Sequence, residues 1–228
     1  MPSRSQLIDD LARCITAHEW PDCTDLCFMA LFGLPSELHI DIARLIMSRY
    51  VPVLEAHWPG VPWPRRLVND PETWLERSGR SVPDDPVLVL PGDATFLFAV
   101  DGLLLAGSNP ADHLVLTSSC VYAIDKSIHA QMQNVWVADD PEAAAIWRRI
   151  ASAGDQDDDL GEALREFVGR GPEDNAAAAA VREREWHRLV EILTTRRVWD
   201  YPEPGHAEVE SALNQWKARE CSLMTPLG

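Results

Sequence analysis

The chain has 228 residues and a mass of 25.5 kDa, is 46% hydrophobic, and carries a formal net charge of −16. Such a composition supports a packed core and excludes a chain disordered by composition. The acidic excess runs through the whole sequence; it repels nucleic-acid phosphates and anionic lipid and favours fast, salt-sensitive association with basic proteins, with solubility as the competing account.

No run of 18 apolar residues exists, and the opening Met1-Pro2-Ser3-Arg4-Ser5-Gln6 lacks a hydrophobic signal core, so the expected compartment is the cytoplasm. Five cysteines is an odd number, and Cys14, Cys23, Cys27 and Cys120 sit inside apolar patterns. That usage fits reduced, buried thiols.

In chain order, Ser5 caps a helix to about Ala17, with Leu7, Leu11, Cys14 and Ile15 on one face. A second helix is expected over 22–32, stopped by Gly33, and a third over 36–50 with Leu38, Ile42, Leu45 and Ile46 buried. Residues 51–91 are proline-rich and contain Trp58, Trp63 and Trp74; they read as a long connection with one short helix, capped by Asp70 with Pro71 at its first position.

The centre, residues 92–138, reads as a sheet. Thr95–Val100, Asp101-Gly102 and Leu103–Ala106 have the pattern of a β-hairpin with a two-residue turn, which pairs Val100 with Leu103 and Phe98 with Leu105. After a turn at 107–110, His113–Ile124 and Ile128–Val137 continue as third and fourth strands around a loop at 125–127. Their register places Thr117, Ser119, His129, Gln131 and Gln133 on one polar face. Helices follow at Asp140–Ile150, Leu160–Val168, Pro172–Thr195 and His206–Ala218. The expectation is therefore one α+β domain: a four-stranded antiparallel meander covered by an N-terminal helical layer, residues 1–50, and C-terminal helices, residues 139–220.

Three constellations could carry chemistry. Cys14, His18, Cys23 and Cys27 are zinc-compatible ligand types within a short span, although their spacing matches no common knuckle and buried free cysteine is the competing reading. Asp155, Asp157, Asp159 and Glu166 have the spacing of acidic calcium-loop positions, but Leu160 stands where the sharp-turn glycine belongs, so a solvated acidic loop competes. His129 and Asp125 are the residues a hydrolase or transferase would use on the polar face. No nucleophile elbow, phosphate loop or dinucleotide fingerprint accompanies them, and no cofactor is implied.

His113–Thr117 followed by Val121–Asp125 and a tryptophan-containing helix resembles the strand pair and terminal helix of pleckstrin-homology-like domains, which would imply a binding module. The resemblance rests on generic strand residues, and no family is assigned on it.

Together these features favour a non-enzymatic acidic interaction protein, an inhibitor or immunity-type protein neutralising a cationic effector. Asp155, Asp157, Asp158 and Asp159 would be its charged contacts, His129, Gln131 and Gln133 a polar face, and Trp63 an aromatic anchor. The alternatives are the enzyme around His129 and a regulatory or structural dimer.

Overall fold

The computed structural model describes residues 2–57, 63–69, 90–153 and 158–223. The described residues contain helices and no strand, so the α+β reading and its antiparallel sheet are overturned. In order, the helices are α1 (Arg4–Ala17), α2 (Trp20–Leu31), α3 (Ser36–Met47), α4 (Val51–His57), α5 (Trp63–Asn69), α6 (Pro91–Ser108), α7 (His113–Asp139), α8 (Pro141–Ser152), α9 (Asp158–Arg170), α10 (Ala176–Thr195) and α11 (His206–Leu223). A single 3-10 turn, Val198–Asp200, precedes α11. The helix expected at Asp70 and Pro71 lies outside the described residues.

All four expected strands fall in α6 and α7, a helical hairpin joined by residues 109–112. Pro91 stands in the first turn of α6, where its missing N–H costs nothing, and the Asp93 carboxylate accepts the Leu90 N–H at 3.0 Å. Asp112 caps α7 by accepting the N–H groups of Leu114 and Val115, each at 3.0 Å. The strand-like pattern misleads because both helices are apolar on nearly every side. α7, about 40 Å long at 1.5 Å per residue, is flanked by α6, α3, α10, α2 and α8. Leu116, Cys120, Val121, Ile124, Ile128, Met132 and Trp136 are all buried along it, so period two fits as well as period 3.6.

Gly102, expected in a hairpin turn, lies mid-helix in α6 and serves a close approach instead. A Cβ there would come within 3.0 Å of both the Ser119 carbonyl oxygen and Tyr122 Cδ1 on α7. Gly92 is tighter still, with that position 2.2 Å from the Ala130 carbonyl oxygen and 2.6 Å from both Asn134 Oδ1 and the Tyr50 hydroxyl.

Around Gly92 a polar clasp joins α4, α6 and α7 to the turn between α3 and α4. The Gly92 N–H donates to Asn134 Oδ1 at 2.8 Å, Asn134 Nδ2 donates to the Tyr50 hydroxyl at 2.6 Å, and that hydroxyl donates to Asp93 Oδ1 at 2.9 Å. His57 Nδ1, at the end of α4, stands 3.1 Å from Asp93 Oδ2. Asp93 is fully buried, yet both carboxylate oxygens face polar groups, which is the condition under which a carboxylate survives in a core.

A second buried group closes the other end. The Arg4 guanidinium donates to the carbonyls of Ala30, Phe32, Tyr201 and Pro202 at 2.8–3.1 Å. It thereby fastens the start of α1 to the end of α2 and to the turn before α11. Expected α1, α3, α8, α9, α10 and α11 agree with the observed helices within a few residues, although Ser3 rather than Ser5 caps α1, in a capping box with Gln6.

Gly92→Ala is expected to destabilise the protein by about 2–3 kcal/mol through overpacking against immovable backbone. Gly102→Ala is expected to cost less, since its neighbours need yield only slightly and alanine adds helix propensity. Urea denaturation should show both as lower midpoints with unchanged slope.

Candidate functional site

The candidate site is an acidic groove formed where α1 and α2 lie side by side. His18 ends α1 in the left-handed conformation at φ 60°, and its N–H bonds back to the carbonyls of Cys14 and Ile15. The Glu19 N–H also returns to the Cys14 carbonyl, at 3.0 Å, before Pro21 starts α2. This tight reversal brings together Asp10, Arg13, Cys14 and Ala17 of α1 and Asp22, Asp25, Leu26 and Met29 of α2, with Glu19 at the bend. Each set follows the i, i+3, i+4, i+7 spacing of one helix face.

The open groove has a volume of about 540 Å³. Cys14, Leu26 and Met29 pack on the core and form a floor, while four carboxylates and one guanidinium form the walls. Asp10 is paired with Arg13, and Asp25 with Lys217 of α11. Among the described residues neither Glu19 nor Asp22 has a basic partner; Glu19 accepts the Cys14 thiol at 3.5 Å. Partial burial raises the pKa of Cys14, and Glu19 and Asp22 raise it further, so this thiol remains protonated. Next to Glu19 at the start of α2, Trp20 is stacked on His18 with ring centroids 5.2 Å apart, and the Arg182 guanidinium lies 4.8 Å from the Trp20 ring centre.

The residues singled out in the sequence are scattered. In a strand His129, Gln131 and Gln133 would share a face; on helix α7 successive members of that set turn away from one another by roughly 200°. His129 faces Glu173 at 3.9 Å, Gln131 Nε2 turns to the Ser127 carbonyl at 3.5 Å, and Gln133 accepts the Thr95 hydroxyl at 2.6 Å, tying α6 to α7. Asp125 lies beside Lys126 at 3.5 Å. Burial lowers the pKa of His129 against the opposing pull of Asp125 and Glu173. Cys120, the thiol nearest that segment in sequence, is sealed in the core and pushed up to about 12 by burial, which leaves no reactive thiolate there.

Cys23 and Cys27 are fully buried, whereas Cys14 is half-buried at the groove floor and His18 is exposed. Among the described residues no group of three or more His, Cys, Asp or Glu side chains is arranged to hold a metal, so the zinc set is not assembled. Asp155 and Asp157 lie outside the described residues, and Asp158 and Asp159 open α9. Glu166 is in the same helix and pairs with Arg149 at 2.9 Å, away from the ligand role its spacing suggested. Trp63 is the first residue of α5. No family model matches the chain, and no curated protein or solved structure does either. No described helix is long and apolar enough to cross a membrane.

One buried titratable group gives a pH signature. His39 on α3 is fully buried between the Pro35 carbonyl, 3.1 Å from Nδ1, and the Thr117 hydroxyl, 3.1 Å from Nε2. The carbonyl requires Nδ1 to carry the proton, so Nε2 accepts from Thr117 and the ring is neutral. Burial lowers its pKa to about 4 from 6.5. The unfolded chain then binds a proton before the folded one does. Stability from this residue is complete above about pH 6.5 and declines by about 3 kcal/mol as the pH falls to about 4. His39→Leu should remove that part of the acid sensitivity, measured as the difference in urea-unfolding free energy between about pH 7 and pH 4.

Proposed function

We propose that the protein is a non-enzymatic acidic interaction protein, an inhibitor or immunity-type protein that binds and neutralises a cationic protein effector. The observation that carries this reading is the groove between α1 and α2. Its Glu19 and Asp22, without a basic partner among the described residues, sit above an apolar floor of Leu26 and Met29, and Trp20 adjoins Glu19 in the chain. Lysine and arginine side chains are amphipathic in the matching order: aliphatic stems for the floor and charged heads for the walls. The overall charge of −16 supplies long-range attraction toward such a partner.

This groove takes the role that sequence reasoning gave to the aspartates around 155–159. An exposed carboxylate–cation pair is worth only about 0.2–1 kcal/mol. Specific affinity therefore has to come from apolar burial on the floor and at Trp20, with charge governing the approach.

Glu19→Gln combined with Asp22→Asn should slow association with a lysine- and arginine-rich helical peptide and weaken it severalfold at low salt. Neutralising Glu208 and Glu210 on the exposed face of α11 should have a smaller effect. Stopped-flow association at increasing ionic strength reads this directly; rates unchanged by salt and by both substitutions would remove the proposal.

A further inference from the structure

α6 turns one largely apolar face to solvent. Phe98, Asp101, Leu105 and Ser108 are all exposed and recur at i, i+3, i+7 and i+10, the spacing of a single stripe along a helix. Leu97 and Leu104, both half-buried, flank it. Phe98 is 55% exposed and Leu105 52%. One such side chain alone would call for no explanation, but two on one seam with leucines beside them form a patch. The other faces of α6 pack on α7 and α3, and none of the stripe residues lines the acidic groove. Asp101 is the only charge on this face, since Asp93, the other ionisable residue of α6, is buried in the clasp. Partial withdrawal from water raises the Asp101 pKa, and no neighbouring charge acts on it in either direction. Between Phe98 and Leu105, therefore, stands a carboxylate without a cation among the described residues.

We infer that this stripe docks an amphipathic helix of a partner protein, one whose apolar seam carries a single lysine or arginine that meets Asp101. Apolar side chains of the partner bury Phe98 and Leu105, and the one ionic pair within the seam sets the register, as a lone polar position does in a coiled coil. A second copy of this chain fits poorly. Pairing two α6 stripes would bring one Asp101 from each copy into a shared seam without a cation, between chains that each carry −16. The size of the face sets the strength of the contact. α6 has 18 residues and is about 27 Å long, so a single helix laid along it falls short of the roughly 800 Å² per partner that stable complexes bury. Binding is therefore reversible and in the micromolar range. The surface is separate from the groove between α1 and α2 and does not depend on the role proposed for that groove.

The probe is a helical peptide of about 18 residues with blocked ends and a neutral fluorophore, leucine at its a and d positions, alanine and glutamine elsewhere, and lysine at one central a position. A companion peptide has glutamine in place of that lysine. With at most one charge on either peptide, attraction to the acidic groove is minimal. Fluorescence anisotropy with the full chain should show saturable binding of the lysine peptide and severalfold weaker binding of its companion. Phe98→Gln combined with Leu105→Gln should weaken both about tenfold or more and leave the melting temperature unchanged, because both side chains face water. Asp101→Asn should abolish the preference for lysine without affecting the companion. Glu19→Gln combined with Asp22→Asn should change neither affinity, so the groove and this stripe succeed or fail separately. Absence of saturable binding overturns the assignment, as does binding undiminished by the glutamine pair or a lysine preference that survives Asp101→Asn. A lower melting temperature in the glutamine pair would mean that the chain itself covers the face. Self-association of the unaltered protein, or its binding to phosphatidylcholine vesicles, that the pair abolishes would make a second copy or a bilayer the occupant. Each of these three results overturns the assignment as well.

Discussion

The burial of α7 along its flanks dictates where the other helices stand. A helix of 27 residues with apolar and small polar side chains on nearly every face has no solvent side of its own, so neighbours have to be recruited on all of them. α6 comes closest because Gly92 and Gly102 bring its backbone against Ala130 and Ser119. α3 is fastened by the His39–Thr117 contact, and Tyr50, beyond its end, enters the clasp with Asp93 and Asn134. The His39–Thr117 and Tyr50–Asp93 contacts are buried, so each has geometric consequences that a surface pair would lack.

From that arrangement follows the position of the outer pair. α2 packs on α7, and α1 reaches α10, while Phe28 of α2 stacks on Trp216 of α11 at 4.8 Å. The faces of α1 and α2 turned toward α7 and α10 are consumed by the core. What remains is the acidic face along their seam, and the Arg4 anchor prevents the two helices from separating at the end opposite the His18–Glu19 bend. The groove is therefore built on rigid elements, as a binding surface of low conformational cost requires.

Much of the helical outer layer was legible in the sequence, whereas the centre was not. Amphipathic spacing marked α1, α3, α8 and α9, and Asp140-Pro141 marked the start of α8, where Asp140 accepts two N–H groups. α6 and α7 were misread because α7 is enclosed on nearly every side and α6 carries Phe98 and Leu105 on its exposed face, so neither shows an amphipathic period. Valine, isoleucine and phenylalanine propensity, with Asp101-Gly102 mimicking a hairpin turn, then pointed to strands. Pro91-Gly92-Asp93 held the opposite message: proline in the first turn and a carboxylate three residues after the cap. The groove is present in the sequence as two stripes, Asp10/Arg13/Cys14/Ala17 and Asp22/Asp25/Leu26/Met29, masked by the stronger periodic signal of the apolar face beside each.

The central claim is that α7 is the enclosed axis of an all-helical core, and backbone amide exchange of the full chain followed by NMR tests it most directly. Amides from Ser119 to Ala130 should exchange only through global unfolding, slower than those of α9 or α11, with the sequential amide–amide contacts of a helix. Fast exchange in that segment, or cross-strand contacts linking residues 95–106 in a hairpin, would contradict it.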